Sequence, residues 1–191
     1  MAPVDYPSLL FADKAEWAAW LEQHHSTERG VWVRIARTTS QLRSVAHADV
    51  LDVALCYGWI DGQGKSYDAD SWLLKFTPRG KKSVWSKRNR EHVERLIASD
   101  EMRPAGFAAI EAAKADGRWE RAYDSQSTAT VPEDFSAALD QHPKAKAFFE
   151  TLKGANRYAI LHRIQTAVKP QTRARRIATF IAMLERGETI H

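Results

Sequence analysis

The stretch HADVLDVALCYGWIDGQGKSYDADSWLLKFTP (47–78) decides the fold. Its first eleven residues place Val50, Val53, Ala54 and Tyr57 on one stripe, the spacing of an amphipathic helix. Gly58 then sits at the C′ position, where a left-handed backbone costs glycine little. Beyond it, Trp59–Asp61 reads as a short strand and Ser71–Thr77 as a longer one, ended by Pro78. Gly62, Gly64 and the Asp68-Ala69-Asp70 segment supply turn chemistry between them. A helix feeding an antiparallel pair with one apolar side implies a small sheet with helices against it.

Working outward, VWVRIAR (31–37) alternates, with Val31, Val33 and Ile35 on one side and Trp32, Arg34 and Ala36 on the other. This is a half-buried strand. Before it, Asp13 is placed to cap a helix, with Glu16 at capping-box spacing and Trp17, Trp20 and Leu21 on one face. After the pair, Ser86 precedes a helix with Val93, Leu96 and Ile97 inward. Pro104 opens another helix, which Gly117 ends. Residues 118–131 read as a polar linker. Four helices follow, at 132–140, 143–153, 155–167 and 170–186, with Pro132, Pro143 and Pro170 at their starts and Gly187 after the last. The expectation is an α+β fold: a small antiparallel or mixed sheet with flanking helices over 1–117, and an all-helical C-terminal part over 132–191 packed on it.

Composition narrows the function classes. The 191 residues are 44% hydrophobic and 27% charged, which excludes a disordered chain or a coiled-coil rod. No apolar run approaches the ~20 residues of a membrane span, so no membrane insertion is expected. The opening MAPVDYPSLLFADKAEW has neither a basic start nor a sustained apolar core, and Cys56 is the single cysteine. Both features imply a cytoplasmic protein without disulfides. Cys56, among apolar neighbours, reads as inert packing. The seven histidines are scattered, with no metal-ligand spacing, so neither a metal nor a cofactor is expected.

The net charge of +4 hides an asymmetry. Lys75–Arg90 and Lys153–Arg176 each carry seven basic residues and no acid, while the rest of the chain has 14 basic against 24 acidic residues. Two acid-free runs in an otherwise acidic chain point to anion binding. The richest segment combines Trp59, Asp61, Gln63, Lys65, Trp72, Lys75, Thr77, Arg79, Lys82, Ser83, Trp85, Ser86, Lys87 and Arg88. There the cations and a helix start would hold phosphate or carboxylate, and indoles would edge the site. Arg163, Arg173, Arg175 and Arg176 form a second basic patch. The same residues read alternatively as core aromatics, a helix cap and a solvated charged face.

The pieces ALCYGWIDGQ (54–63), KFTPR (75–79), SVWSKRN (83–89) and ERLI (94–97), with KPQTRARRIATFIAMLERGE (169–188), resemble the bacteriocin-protection, YdeI/OmpD-associated family. The resemblance implies a related fold and a link to protection against bacteriocins and to an outer-membrane porin. It assigns no catalytic mechanism and no functional residue.

The leading expectation is therefore a cytoplasmic, non-enzymatic bacterial protein of the bacteriocin-protection or stress-resistance type. It would bind an anionic small molecule or an acidic protein partner through a basic, tryptophan-rich face. One alternative is a nucleic-acid-binding module, with Lys81, Lys82, Lys87, Arg88 and the 173–176 arginines on phosphates and Trp85 stacking. The second is a small enzyme with Asp61 as general base. The oligomeric state stays open.

Overall fold

The computed structural model describes residues 6–191. Residues 1–5, part of the opening stretch read for a secretory leader, lie outside the described residues. The chain divides into two compact units, Met1–Ser83 with Asn89–Glu120, and Val84–Arg88 with Arg121–His191.

The first unit is built on a four-stranded mixed sheet of order β1-β2-β4-β3. Its strands are β1 (Ser8–Leu10), β2 (Val31–Ala36), β3 (Trp59–Ser66) and β4 (Ser71–Pro78). β1 runs parallel to β2, whereas β4 runs antiparallel to both β2 and β3. Helices α1 (Lys14–His24), α2 (His47–Cys56), α3 (Lys87–Ala98) and α4 (Pro104–Ala115) complete the elements up to residue 120. The predicted α+β class is what forms.

Local chemistry explains most of these boundaries. Asp13 caps α1, its carboxylate accepting from the amides of Ala15 and Glu16, and Glu16 in turn accepts from the amide of Ala12. Gly58 ends α2 with φ +71°. On the sheet's inner side Val31 pairs with Phe76 and Val33 with Leu74, all buried. Trp17 of α1 packs 5.0 Å from Phe11 and 5.7 Å from Phe76, and its indole N–H donates to the carbonyl of Val50. Gly106 of α4 lies so close to α2 that a Cβ there would collide with the Cys56 carbonyl and the Met102 sulfur.

Three expectations change. β1 was not foreseen, because three residues are too few to display alternation. β3 continues to Ser66, so Gly62 and Gly64 lie inside a strand, where the register shifts between Asp61 and Gly64. A bulge accommodates them. The turn itself is carried by Asp68, whose carboxylate accepts from the Asp70 amide and the Ser71 hydroxyl. Residues 118–131 are not a bare polar spacer: Trp119 is buried under the Arg90 guanidinium, 5.0 Å from its ring, and Ala122 is buried too.

In the second unit α5 (Glu133–Asp140), α6 (Pro143–Thr151), α7 (Gly154–Gln165) and α8 (Pro170–Glu185) share one core. Phe135 and Phe149 meet edge-on at 5.3 Å, among Leu139, Ile160, Ile164, Phe180 and Leu184. Pro143 and Pro170 open their helices, and Pro132 stands one position earlier, as the cap residue of α5. Val84–Arg88 groups with this unit through a parallel bridge between Ser86 and Tyr123 and the amide bonds on either side of it. Lys87 adds an ion pair of 2.6 Å with Asp124.

Candidate anion-binding faces

Strand alternation gives the sheet of the first unit a second side, away from α1 and α2. Trp32 and Arg34 of β2 lie there opposite Lys75 and Leu73 of β4, and Lys65 of β3 opposite Leu73. The Lys65 ammonium sits 4.2 Å above the Trp32 ring and the Lys75 ammonium 5.8 Å from it. Lys75 also donates to the Gln63 side-chain oxygen at 3.2 Å. Arg34 is neutralised, for it donates to Asp68 at 2.6 Å and to Ser71 at 2.7 Å while lying over the Tyr67 ring. The Ser71 hydroxyl, with Arg34 adding to it, holds the Asp68 carboxyl below its ordinary range. Among the described residues no carboxylate pairs with Lys65 or Lys75. The result is a half-buried indole under two ammonium groups that no carboxylate neutralises among the described residues.

Of the residues expected at the site, the structure thus gathers Gln63, Lys65 and Lys75, with Thr77 next along the same side of β4. It separates others. Trp59 is a core residue, 1% exposed, edge-on to Trp20 and donating to the carbonyl of His25. Trp85 is also 1% exposed. Neither indole can stack on a ligand, which corrects the expectation of an edge built from them. Trp72 points to the other side of the sheet, 5.5 Å from His47, in a cavity of about 540 Å³ shared with Arg37 and Ser44. Arg79 follows the end of β4, its amide donating to the carbonyl of Gly58. Lys82 is exposed in the next loop, and Ser83 accepts there from the Gly80 amide. Trp85, Ser86, Lys87 and Arg88 belong to the second unit. Asp61 is exposed and lines none of the three cavities described here.

Trp32, Arg34 and Tyr67, which lie on this face, were not among the residues expected at the site. The signal was present, since alternation of VWVRIA already put Trp32 and Arg34 on the polar side. Only cross-strand pairing, however, shows that Lys65 and Lys75 flank the indole.

A polar cluster of a different kind lies between α2 and α3. Asp52, buried, receives His92 Nδ1 and the Arg95 guanidinium on its two oxygens, each at 2.6 Å. Burial pushes its carboxyl up, but the bonds from His92 and Arg95 outweigh that and bring it below the ordinary value. One turn along α2, burial pushes the Cys56 thiol up to about 11, so it is protonated and unreactive at neutral pH. No group of three His, Cys, Asp or Glu suited to a metal occurs among the described residues.

The second basic patch divides. Arg173 is taken up by a two-point contact with Asp134 at 2.6 and 2.8 Å and lines a largely apolar groove of about 600 Å³ along α8. Arg175 is exposed. Arg163 and Arg176 line a separate cavity of about 470 Å³.

Residues 9–109, just over half of the chain, match the family model described as Domain of unknown function (DUF8412). The chain belongs to this family. The DUF8412 match spans β1 through most of α4, so the Trp32 face lies wholly inside it. Residues 128–187, which hold α5–α8, match the family described as Bacteriocin-protection, YdeI or OmpD-Associated. This is the family that the sequence resembles, and the match to it is confined to the helical unit. The motifs at 54–97 lie in the DUF8412 match instead; only the closing 169–188 piece, up to residue 187, falls within the second one. No curated protein and no solved structure matches the chain. No helix among the described residues is long and apolar enough to cross a membrane.

Proposed function

We propose that this DUF8412 protein is a cytoplasmic, non-catalytic binding protein that acts in bacteriocin protection or stress resistance. It takes an anionic ligand or acidic partner on the sheet face around Trp32. The observation that carries the reading is the pair of ammonium groups, Lys65 and Lys75, held over one half-buried indole without a carboxylate partner. An anion bound there gains two charges, and any planar part of it gains the ring.

An acidic peptide, such as a fluorescein-labelled hexaglutamate, tests this by anisotropy at low salt. Binding that falls when Lys65→Ala and Lys75→Ala are combined supports the proposal. No binding by the wild type, or equal binding by both proteins, refutes it.

The second reading, a nucleic-acid module, is favoured by the same geometry, because an exposed sheet side with an aromatic and flanking lysines is also a stacking platform. It relocates stacking from the buried Trp85 to Trp32. Single-stranded oligonucleotides separate the two readings. Tight binding that weakens steeply with salt and is lost in Trp32→Ala would favour nucleic acid over an acidic partner.

A further inference from the structure

The cavity of about 470 Å³ in the second unit is formed by Gln126, Tyr158, His162, Arg163, Thr166 and Arg176, with His191 and two alanines. Arg163 comes from α7 and Arg176 from α8. The Arg176 guanidinium donates to the backbone carbonyl of Arg163 and the Arg163 guanidinium to that of Ala159 at 3.4 Å, and both side chains line the cavity. Among the described residues no carboxylate pairs with either. One turn before Arg176 the chain shows the other outcome, for Arg173 is neutralised by Asp134. Two cations lining one cavity without a counter-ion favour an anionic occupant, and a dianion most.

The rest of the wall is aromatic and already oriented. The His162 ring stands edge-on to Tyr123 at 4.6 Å and 5.6 Å from Tyr158. Burial, and then Arg163 and Arg176, lower the proton affinity of His162, so its imidazole is neutral and keeps one N–H to donate. The hydroxyls of Tyr158 and Thr166 donate to the carbonyls of Asp124 and His162, so they are not donors to a ligand. The cavity is of ordinary small-molecule size, about 300–1,000 Å³ being typical.

From these features we propose that the cavity binds a small phosphomonoester, with its phosphate between Arg163 and Arg176 and its organic body against Tyr158 and His162. Two guanidinium groups match the charge and the oxygens of a phosphate dianion better than those of a single carboxylate. This site is independent of the Trp32 face, from which it differs in unit, in family match and in residues.

The test is calorimetric titration of the full chain in phosphate-free buffer with adenosine monophosphate, inorganic phosphate and adenosine. Adenosine monophosphate is expected to bind and adenosine not. Arg163→Gln, an exposed position, is expected to weaken the nucleotide about tenfold, as loss of a charged hydrogen bond does, and Arg163→Gln/Arg176→Gln further. Should the double variant fail to fold, Arg163→Gln alone decides. Absence of binding, or affinity unchanged in Arg163→Gln, overturns the proposal. So does a loss of nucleotide binding in the Lys65→Ala/Lys75→Ala protein, which would place the anion on the sheet face. Binding of inorganic phosphate as tight as that of the nucleotide overturns the part assigned to Tyr158 and His162.

Discussion

In the sheet-bearing unit, acids distant in sequence meet bases. Asp52 holds His92 and Arg95, Glu101 holds Lys14, and Asp68 holds Arg34. The helical unit treats its basic run unevenly: Asp134 takes Arg173, whereas Arg163 and Arg176 line a cavity and pair with no carboxylate among the described residues. The cores differ as well. Indoles dominate the first, with Trp17 and Trp59 sealed and Trp20 stacked on Trp17 at 5.4 Å. Phenylalanine and branched aliphatics fill the second. The contrast teaches that a run of positive charge in a sequence is not a surface. What matters is which cations the fold leaves without an acid, and each unit keeps several of them next to an aromatic ring.

The largest expected effect sharpens the packing side of the contrast. Gly106→Ala drives a methyl against the Met102 sulfur and into the Cys56 carbonyl, a backbone atom that cannot swing away. It should lower the stability of the first unit by about 3 kcal/mol in urea unfolding, at the upper end for overpacking. The matching change in the second unit, Gly187→Ala, meets nothing within 4 Å and violates only a φ of +70°. It should cost about 1 kcal/mol. Equal costs would break the claim that the α2–α4 approach is the tighter constraint.

Next comes the buried ion cluster. Asp52→Asn keeps the shape but removes the charge that His92 and Arg95 share, and should cost about 2 kcal/mol, the scale of a charged hydrogen bond. The sign with pH follows from the lowered carboxyl. Its contribution is fully present above the ordinary value of 3.8 and is lost as the pH falls through the folded-state value. Chemical unfolding should therefore show the gap between wild type and variant at neutral pH and its closure in acid. A gap that persists at pH 2 would mean packing rather than charge.

The smallest effect probes the second unit. Burial, Arg163 and Arg176 depress the His162 pKa, so below 6.5 the unfolded chain takes up a proton that the folded one resists. Stability then falls as the pH drops from 6.5. His162→Gln should flatten the decline in melting temperature between pH 7 and 5 by about 2 °C. An unchanged slope would show that the fold does not depress the His162 pKa.

Much of the fold was legible because it is local. The Asp13 cap, the alternation of 31–36, the Gly58 stop and the helix-opening prolines each report chemistry within a few residues. β1 was invisible, since its three residues gain meaning only from pairing with β2. The Gly62 and Gly64 positions misled because a glycine in a bulge and a glycine in a turn look alike in sequence. The candidate site was half legible. Gln63, Lys65 and Lys75 were expected together and do lie around Trp32, whereas Trp59 and Trp85, expected beside them, are buried, because an indole in a sequence does not show its burial. The Asp52–His92 pair spans 40 residues, and no spacing rule reaches that far.

By itself the sequence determined the class of the fold, the order of nearly all its elements and the presence of two acid-free basic runs. Hydrophobic period, capping and charge counts are written along the chain. Tertiary structure alone decided which tryptophan is reachable, which arginine finds a carboxylate and which cations share a cavity. Those outcomes depend on strand register and helix packing, which join residues that the sequence keeps far apart.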